Sequence, residues 1–137
     1  MDQISELTKA LIAFHKKVGP VLKGTSGQFG RYADLHQVLE TVNPVLLEHD
    51  LVVTQTFTID GDLCTTLHHV SGGSISSTVK LLPNNSKNPL HGWGGGVTYM
   101  RRYALLGILN LSAGLEDDDG GSAGVAKPAP STDDDFL

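Results

Sequence analysis

The chain has 137 residues, of which 39% are hydrophobic, and a formal net charge of -5. This is enough for one domain with a buried core. The single cysteine, Cys64, excludes an internal disulfide and a zinc-binding thiolate cluster. No apolar run approaches the roughly 20 residues needed to cross a bilayer, and the N-terminal segment lacks the apolar core of a signal peptide. We therefore expect an intracellular, cytoplasmic protein without membrane association.

The charge is distributed unevenly along the sequence. Residues 116–137 hold seven of the fifteen acidic residues and one basic residue, whereas residues 1–115 hold eight acidic and nine basic residues. We therefore expect a domain of near-neutral charge at 1–115 and a flexible acidic tail at 116–137. The overall negative charge does not exclude a nucleic-acid partner for the domain.

The first predicted element is an amphipathic helix over residues 2–18. Apolar residues recur at helical spacing on one face, while Lys9, Lys16 and Lys17 lie on the other. These lysines are more simply explained by solvation than by phosphate contact. A glycine-rich connector follows at 19–30.

The connector contains Lys23 and is followed at once by Arg31. Both are candidate contacts for a phosphate backbone. The connector lacks the GKS or GKT ending of a nucleotide-binding P-loop. A second helix is predicted to begin at Asp34, because Asp34 and Gln37 have the spacing of a capping box. Pro44 falls within this helix and is expected to kink or divide it.

Three strands are predicted downstream, at 51–59, 63–70 and 74–82, because apolar and polar residues alternate there between short turn sequences. An antiparallel meander with one apolar face needs helices to cover that face, so the expected fold class is α+β. The opposite face is rich in hydroxyl groups and includes Lys80. It suits contact with a sugar-phosphate backbone, although a solvated threonine-rich face explains the composition as well.

Residues 91–120 combine glycine, arginine and aromatic residues, which are typical of nucleic-acid-binding surfaces. Three glycines at 94–96 directly precede a helix predicted over 97–111. Unpaired amides in the first turn of this helix would suit a phosphate. Close packing of the glycines against the sheet is the alternative.

Most of the helix at 97–111 is predicted to be buried. Thr98, Tyr99 and Arg102 share its remaining polar side, because positions three and four apart are neighbours on a helix. Arg101 points between apolar residues, where it needs a partner, and we expect a carboxylate. Arg102 is therefore the preferred phosphate ligand, and Arg101 the second choice.

Aromatic residues of this stretch are candidates for stacking on bases, which discriminates little between sequences. Trp93 and Tyr99 are the main candidates. Core packing is the alternative for each aromatic residue, and it is the preferred interpretation for Tyr103.

The sequence GGVTYMRRYAL at 95–105, followed by GLEDDDG at 114–120, resembles the signature of the ERF family of phage single-strand annealing proteins. The run RYADL at 31–35, with the strand after it, is similar to an earlier motif of the family. The resemblance extends in order over roughly residues 4–120. The glycines at 95 and 96 depart from a small-residue pattern that often includes serine or alanine.

The resemblance implies a β-β-β-α core and a homo-oligomer, either a ring or a filament. It also implies a protein that binds single-stranded DNA and anneals complementary strands in recombination without ATP or another cofactor. The acidic tail has a linker composition at 120–132. It ends in five residues that resemble the acidic tip of bacterial single-stranded DNA-binding proteins: Asp133, Asp134, Asp135, Phe136 and Leu137.

Such a tip recruits replication and recombination proteins, with its carboxylates on a basic rim and Phe136 in a pocket. A solubilising tail is the alternative. Two other functions also remain open. One is a replication coat protein that has lost annealing, and the other is a metal-dependent nuclease that uses the acidic cluster at 116–119. We expect neither catalytic nor metal-binding residues, because no general base or paired-metal arrangement is evident.

Overall fold

The computed structural model describes residues 2–19, 34–81 and 89–112. Its elements, in chain order, are α1 (Gln3–Lys17), α2 (Leu35–Glu48), β1 (Leu51–Phe57), β2 (Leu63–His69), β3 (Ser74–Val79) and α3 (Pro89–Leu109). The strands form one antiparallel sheet in the order β1-β2-β3. The predicted α+β class and three-stranded meander are confirmed.

Both N-terminal helices begin where their capping residues predict. The Asp2 carboxylate accepts a hydrogen bond from the Ile4 amide at 3.3 Å. At α2, the Gln37 amide donates to the Asp34 side chain at 2.9 Å, and the Asp34 amide donates to the Gln37 side-chain oxygen at 3.0 Å. This reciprocal pair is the predicted capping box, which satisfies backbone groups that a helix start leaves unpaired.

Pro44 lies inside α2, which runs from Leu35 to Glu48 as one helix. The prediction that Pro44 divides this helix is wrong. Pro44 is exposed, so water can hydrate the carbonyl that loses its intrahelical hydrogen bond because proline has no amide proton. The chain leaves α2 through Asp50, whose positive φ of 62° turns it toward β1.

Each strand ends earlier than predicted, and β1 does so because the turn before β2 takes up its last two predicted residues. The Thr58 amide donates to the Asp62 carbonyl at 2.8 Å, and the Gly61 amide donates to the Thr58 carbonyl at 2.9 Å. Ile59 lies in this turn and is 99% exposed, so the predicted extension of the first strand to residue 59 is wrong. Gly61 has a φ of 86°, which a glycine adopts without strain.

All three helices pack on the same face of the sheet. Their buried side chains meet those of β1 and β2 in one cluster, to which each fully buried large side chain contributes about 1.5–3 kcal/mol. The buried members of this cluster are Leu7, Ala10, Phe14, Val18, Val38, Val42, Leu46, Leu51, Leu67, Leu105, Leu106 and Leu109.

The other face of the sheet carries the predicted hydroxyl groups. Thr54 contacts His68 at 3.0 Å, and Thr66 contacts Ser76 at 2.8 Å, in each case between side chains of neighbouring strands. Side chains on this face are exposed or half-buried. No helix of the described part of the chain covers it.

The C-terminal end of α3 is well defined. Asn110 adopts a φ of 55°. Its amide donates to the Gly107 carbonyl at 3.1 Å, and the Leu111 amide donates to the Leu106 carbonyl at 2.9 Å. This is the Schellman pattern, in which asparagine takes the left-handed position usually held by glycine. It fixes the end of the helix that carries most of the candidate site.

Candidate nucleic-acid interface

The α3 helix contains the two adjacent arginines and no acidic residue. The three strands contain neither acidic residues nor lysine or arginine. Arg101 and Arg102 are therefore the charged side chains of this helix and sheet, apart from histidines. The environment of each arginine determines what this layer offers to an anionic ligand.

The predicted phosphate site at the three glycines is wrong in its geometry. The α3 helix begins at Pro89, so residues 94–96 lie in its second turn and beyond rather than before it. Amides at those positions are not the unpaired amides of a first turn. Proline is well suited to the first position of a helix, which accounts for the earlier start.

The prediction that Arg102 lies on a solvent-exposed polar side of α3 is wrong. It is 5% exposed, and its guanidinium carbon lies 4.5 Å from the ring centroid of Tyr103 and 5.8 Å from that of Tyr99. These distances are those of cation–π contacts. The wheel projection failed here because the positions that neighbouring elements cover cannot be read from α3 alone. The direct role of Arg102 in phosphate binding stays a prediction.

Arg101 has a different environment, which also corrects the prediction of a carboxylate partner. Its Nε donates a hydrogen bond to the side-chain oxygen of Gln55 at 2.9 Å. The Gln55 side-chain nitrogen donates to the Arg101 backbone carbonyl at 3.1 Å and to the Thr65 hydroxyl at 3.0 Å. An amide on β1 therefore satisfies Arg101 without neutralising its charge.

The outer nitrogens of Arg101 have no hydrogen-bond partner among the described residues. Arg101 is half-buried, and within residues 2–19, 34–81 and 89–112 no acidic side chain forms an ion pair with it. In the same ranges, no buried side-chain nitrogen or oxygen lacks a hydrogen-bond partner. Within these ranges Nη1 and Nη2 have no such partner, so neither is fully buried and both can still donate to a phosphate.

Two aromatic side chains lie at the same edge of the sheet. The rings of Phe57 and Trp93 are 5.5 Å apart between centroids, with an interplanar angle of 41°. Phe57 is 47% exposed and Trp93 is 48% exposed. Trp93 was a predicted stacking residue, whereas Phe57 was not. Its position at the end of β1, directly before the turn, was the available signal.

Trp93 and Arg101 both face β1. Eight residues separate them, which corresponds to about 12 Å along the helix. Their β1 partners, Phe57 and Gln55, are two residues apart and therefore project from the same face of the strand. We call Gln55, Phe57, Trp93 and Arg101 the β1–α3 edge. It places a guanidinium and two half-exposed rings along the same strand, about two helical turns apart on α3.

The other predicted residues of α3 make contacts within the helix. Tyr99 and Tyr103 form an edge-to-face pair with ring centroids 4.8 Å apart. Tyr103 is 41% exposed, so its predicted core position is wrong. The Thr98 hydroxyl donates to the Gly94 carbonyl at 3.2 Å, which occupies its proton within the helix.

Other basic residues lie away from the edge, and several predicted site residues lie outside the described residues. Lys80 is exposed directly after β3. Lys17 pairs with Glu48 at 2.8 Å on the surface between α1 and α2, and the Lys17 hydrogen bond lowers the pKa of that carboxyl group. Outside the described residues lie Lys23, Arg31, the acidic cluster at 116–119 and the five residues of the tip: Asp133, Asp134, Asp135, Phe136 and Leu137.

Two findings within the described ranges concern membrane spanning and metal binding. No helix there is long and apolar enough to cross a membrane. No group of three or more metal-ligating side chains occurs within those ranges. The cluster at 116–119 falls outside them, so its predicted lack of a metal stays a prediction.

The fold and the site define a class of α+β protein in which a three-stranded meander supports a helix with an accessible arginine beside exposed aromatic rings. The family model of the ERF superfamily matches residues 7–133. The chain belongs to the ERF superfamily. Neither the curated proteins nor the solved structures contain a significant match to it.

Proposed function

We propose that this protein binds single-stranded DNA and promotes the annealing of complementary strands in phage recombination, as a homo-oligomer and without ATP. Membership of the ERF superfamily supports the annealing function. The observation that supports DNA binding is the β1–α3 edge. At this edge the outer nitrogens of Arg101 lie beside β1 and are available to a ligand. The half-exposed rings of Phe57 and Trp93 lie at the end of the same strand.

The chemistry of this edge suits a single strand better than a duplex. A base that is free of its partner can stack on Trp93 or Phe57, and every base presents a π face. The Arg101 guanidinium can donate two hydrogen bonds to a phosphate oxygen pair. Neither contact reads a base edge, so binding is expected to be largely independent of sequence.

The surrounding charge is compatible with this role. Neither the strands nor α3 carry an acidic residue, so no carboxylate of these elements repels the phosphate. We propose further contacts with the DNA strand from Lys80, Tyr99 and Thr98. Lys23 and Arg31 are proposed as contacts from the connector. Fixing the strand through stacking and phosphate contacts leaves base edges free to pair with a second strand.

Strand annealing is the decisive test. Two complementary labelled strands are mixed with and without the protein, in the absence of ATP, and duplex formation is followed by energy transfer. Acceleration is expected, and a pair of non-complementary strands is the control for aggregation. Arg101→Ala is the matched variant, and it should accelerate pairing less. A protein that binds single strands but does not accelerate pairing would refute the annealing function.

A replication coat protein without annealing activity is the second candidate. The terminal sequence, with three aspartates before Phe136 and Leu137, favours it, because an acidic tip of this kind recruits replication partners. A coat protein would slow duplex formation in the same assay. Phe136→Ala in the full chain tests the tip, since it should weaken capture of partners while leaving DNA binding unchanged.

We also propose that the protein is not an enzyme. The rival hypothesis is a nuclease that uses the cluster at 116–119 to hold a divalent metal. Labelled single-stranded DNA is incubated with the protein and magnesium or manganese. We expect the DNA to stay intact. Metal-dependent cleavage that disappears in Asp117→Ala or Asp118→Ala would establish the nuclease instead.

A further inference from the structure

We propose that Gln55 is a positioning residue for DNA binding, which fixes the Arg101 guanidinium so that its outer nitrogens meet a phosphate beside the aromatic pair. This inference rests on the proposed binding of single-stranded DNA. It assigns to a neutral residue of β1, rather than to a charged one, a role in phosphate recognition.

The hydrogen bonds of Gln55 determine how its amide is oriented. Its oxygen accepts from the Arg101 Nε at 2.9 Å, and its nitrogen donates to the Thr65 hydroxyl and to the Arg101 carbonyl, at 3.0 and 3.1 Å. If the amide were reversed, its nitrogen would face the Nε–H donor and its oxygen would face the Arg101 carbonyl. Both contacts would be repulsive, so the network admits one orientation.

The support beneath this amide is rigid. Thr65 lies on β2 directly opposite Gln55 and is fully buried. Gln55 contacts both the backbone and the side chain of Arg101, so it links β1 to α3 and orients the guanidinium at the same place. An arginine held by its Nε has fewer conformations to lose when a phosphate binds.

The aromatic pair of Phe57 and Trp93 lies close to Gln55 along β1. Gln55 and Phe57 project from one face of β1, and successive residues on one face are roughly 7 Å apart. Phe57 contacts Trp93. A nucleotide can therefore stack its base on the rings while the adjoining phosphate meets Nη1 and Nη2 of Arg101.

Glutamine has the chemistry that this position requires. A glutamate would also accept a hydrogen bond from Nε, but its charge would compensate the guanidinium and repel the phosphate. It would also lack the N–H donor from which the Thr65 hydroxyl and the Arg101 carbonyl accept hydrogen bonds. A methionine has a similar volume but forms none of these hydrogen bonds. Only the amide both orients the arginine and leaves its charge available.

The test is a double-mutant cycle on the full chain, with fluorescence anisotropy of a labelled single-stranded oligonucleotide at several salt concentrations. The four proteins are the wild type, Gln55→Met, Arg101→Ala and the double variant. We expect Gln55→Met to weaken binding roughly three- to tenfold in the presence of Arg101, and to have no further effect when Arg101 is absent. The salt dependence should fall with Arg101→Ala and not fall further in the double variant.

A role confined to stability gives a different pattern. Gln55→Met would then lower affinity by the same factor in both backgrounds, in parallel with the thermal midpoint, and the inference would be overturned. Gln55→Glu is the second variant, in case the methionine substitution unfolds the protein. It should weaken binding relative to the wild type while keeping the fold, as circular dichroism verifies, and binding as tight as that of the wild type would also overturn the inference.

The outcomes separate the two proposals. If the wild type does not bind single-stranded DNA, the proposed function fails. If the wild type binds and Arg101→Ala weakens binding, but Gln55→Met does not, the function stands and the positioning role alone fails.

Discussion

The two neighbouring arginines of α3 show how differently one helix can use the same side chain. Arg101 faces β1, hydrogen-bonds an amide and keeps two nitrogens without a hydrogen-bond partner among the described residues. Arg102 is 5% exposed and lies over the rings of Tyr99 and Tyr103. Consecutive helix positions point about 100° apart. One side of α3 therefore holds a guanidinium through a hydrogen bond to β1, while the other uses a guanidinium as part of its packing.

Removing Arg102 should have the largest effect, and the effect should be on stability. Arg102→Ala removes a buried guanidinium, its packed stem and its cation–π contacts, which should lower the free energy of unfolding by about 3 kcal/mol. Urea denaturation measures the loss. Arg102→Lys keeps the charge but not the planar group, and it should fall between the wild type and Arg102→Ala. A fully stable Arg102→Ala with weakened DNA binding would reverse the roles assigned to the two arginines.

Removing Arg101 should affect binding instead. Arg101→Ala should weaken binding to single-stranded DNA by about 1.5–3 kcal/mol, the range of a hydrogen bond to a charged group. Loss of affinity should be similar for unrelated sequences, because a phosphate contact carries no sequence information. Anisotropy titrations with several oligonucleotides, alongside circular dichroism to verify the fold, measure both properties. Unchanged affinity in a folded Arg101→Ala protein contradicts the assignment.

The aromatic pair should contribute somewhat less. Trp93→Ala removes one ring of the pair and should weaken DNA binding by about 1–2 kcal/mol, as expected for the loss of a stacked base. Trp93→Phe keeps a stacking surface and should retain most of the affinity. Quenching of Trp93 fluorescence on DNA binding gives an independent readout in the wild type, because Trp93 is the single tryptophan. The absence of quenching would place the bases elsewhere.

The smallest effect is expected for a basic residue away from α3. Lys17 pairs with Glu48 on the surface, and Lys17→Ala should leave DNA affinity near that of the wild type. A loss equal to that of Arg101→Ala would show that binding depends on overall charge rather than on the β1–α3 edge.

This ion pair also predicts a small pH dependence of stability. The hydrogen bond from Lys17 lowers the pKa of Glu48 below its ordinary value of 4.5. The pair therefore stabilises the fold above that value, and this contribution is lost as the pH falls through the lowered pKa. Lys17→Ala should remove this acid dependence, which urea denaturation between neutral and acidic pH detects. An unchanged acid profile in Lys17→Ala would exclude the pair as its source.

Local patterns were sufficient to predict most of the secondary structure. Alternating residues gave the three strands, and the Asp34–Gln37 spacing gave the start of α2, because capping and strand formation depend on residues close in sequence. The turn after β1 was less predictable. Ile59 fits the alternation, yet a hydrogen bond between Thr58 and Asp62 places it inside the turn.

The site was predicted only in part. The glycines at 94–96 read as a break in the chain, because glycine is a poor helix former, but they lie inside a helix of 21 residues. Trp93 was identified from its type and context. Phe57 was not, because its exposure depends on where the helices end above the sheet rather than on its own neighbours in sequence.

The sequence by itself determined the fold class, the order of the elements and the family, since these follow from periodicity, caps and motifs that are local along the chain. The tertiary structure decided which arginine is accessible. Gln55 and Arg101 are separated by 46 residues, and no local pattern links them. They meet because β1 pairs with β2, α3 packs over the sheet, and an amide on the strand supplies the hydrogen-bond partner that the helix lacks.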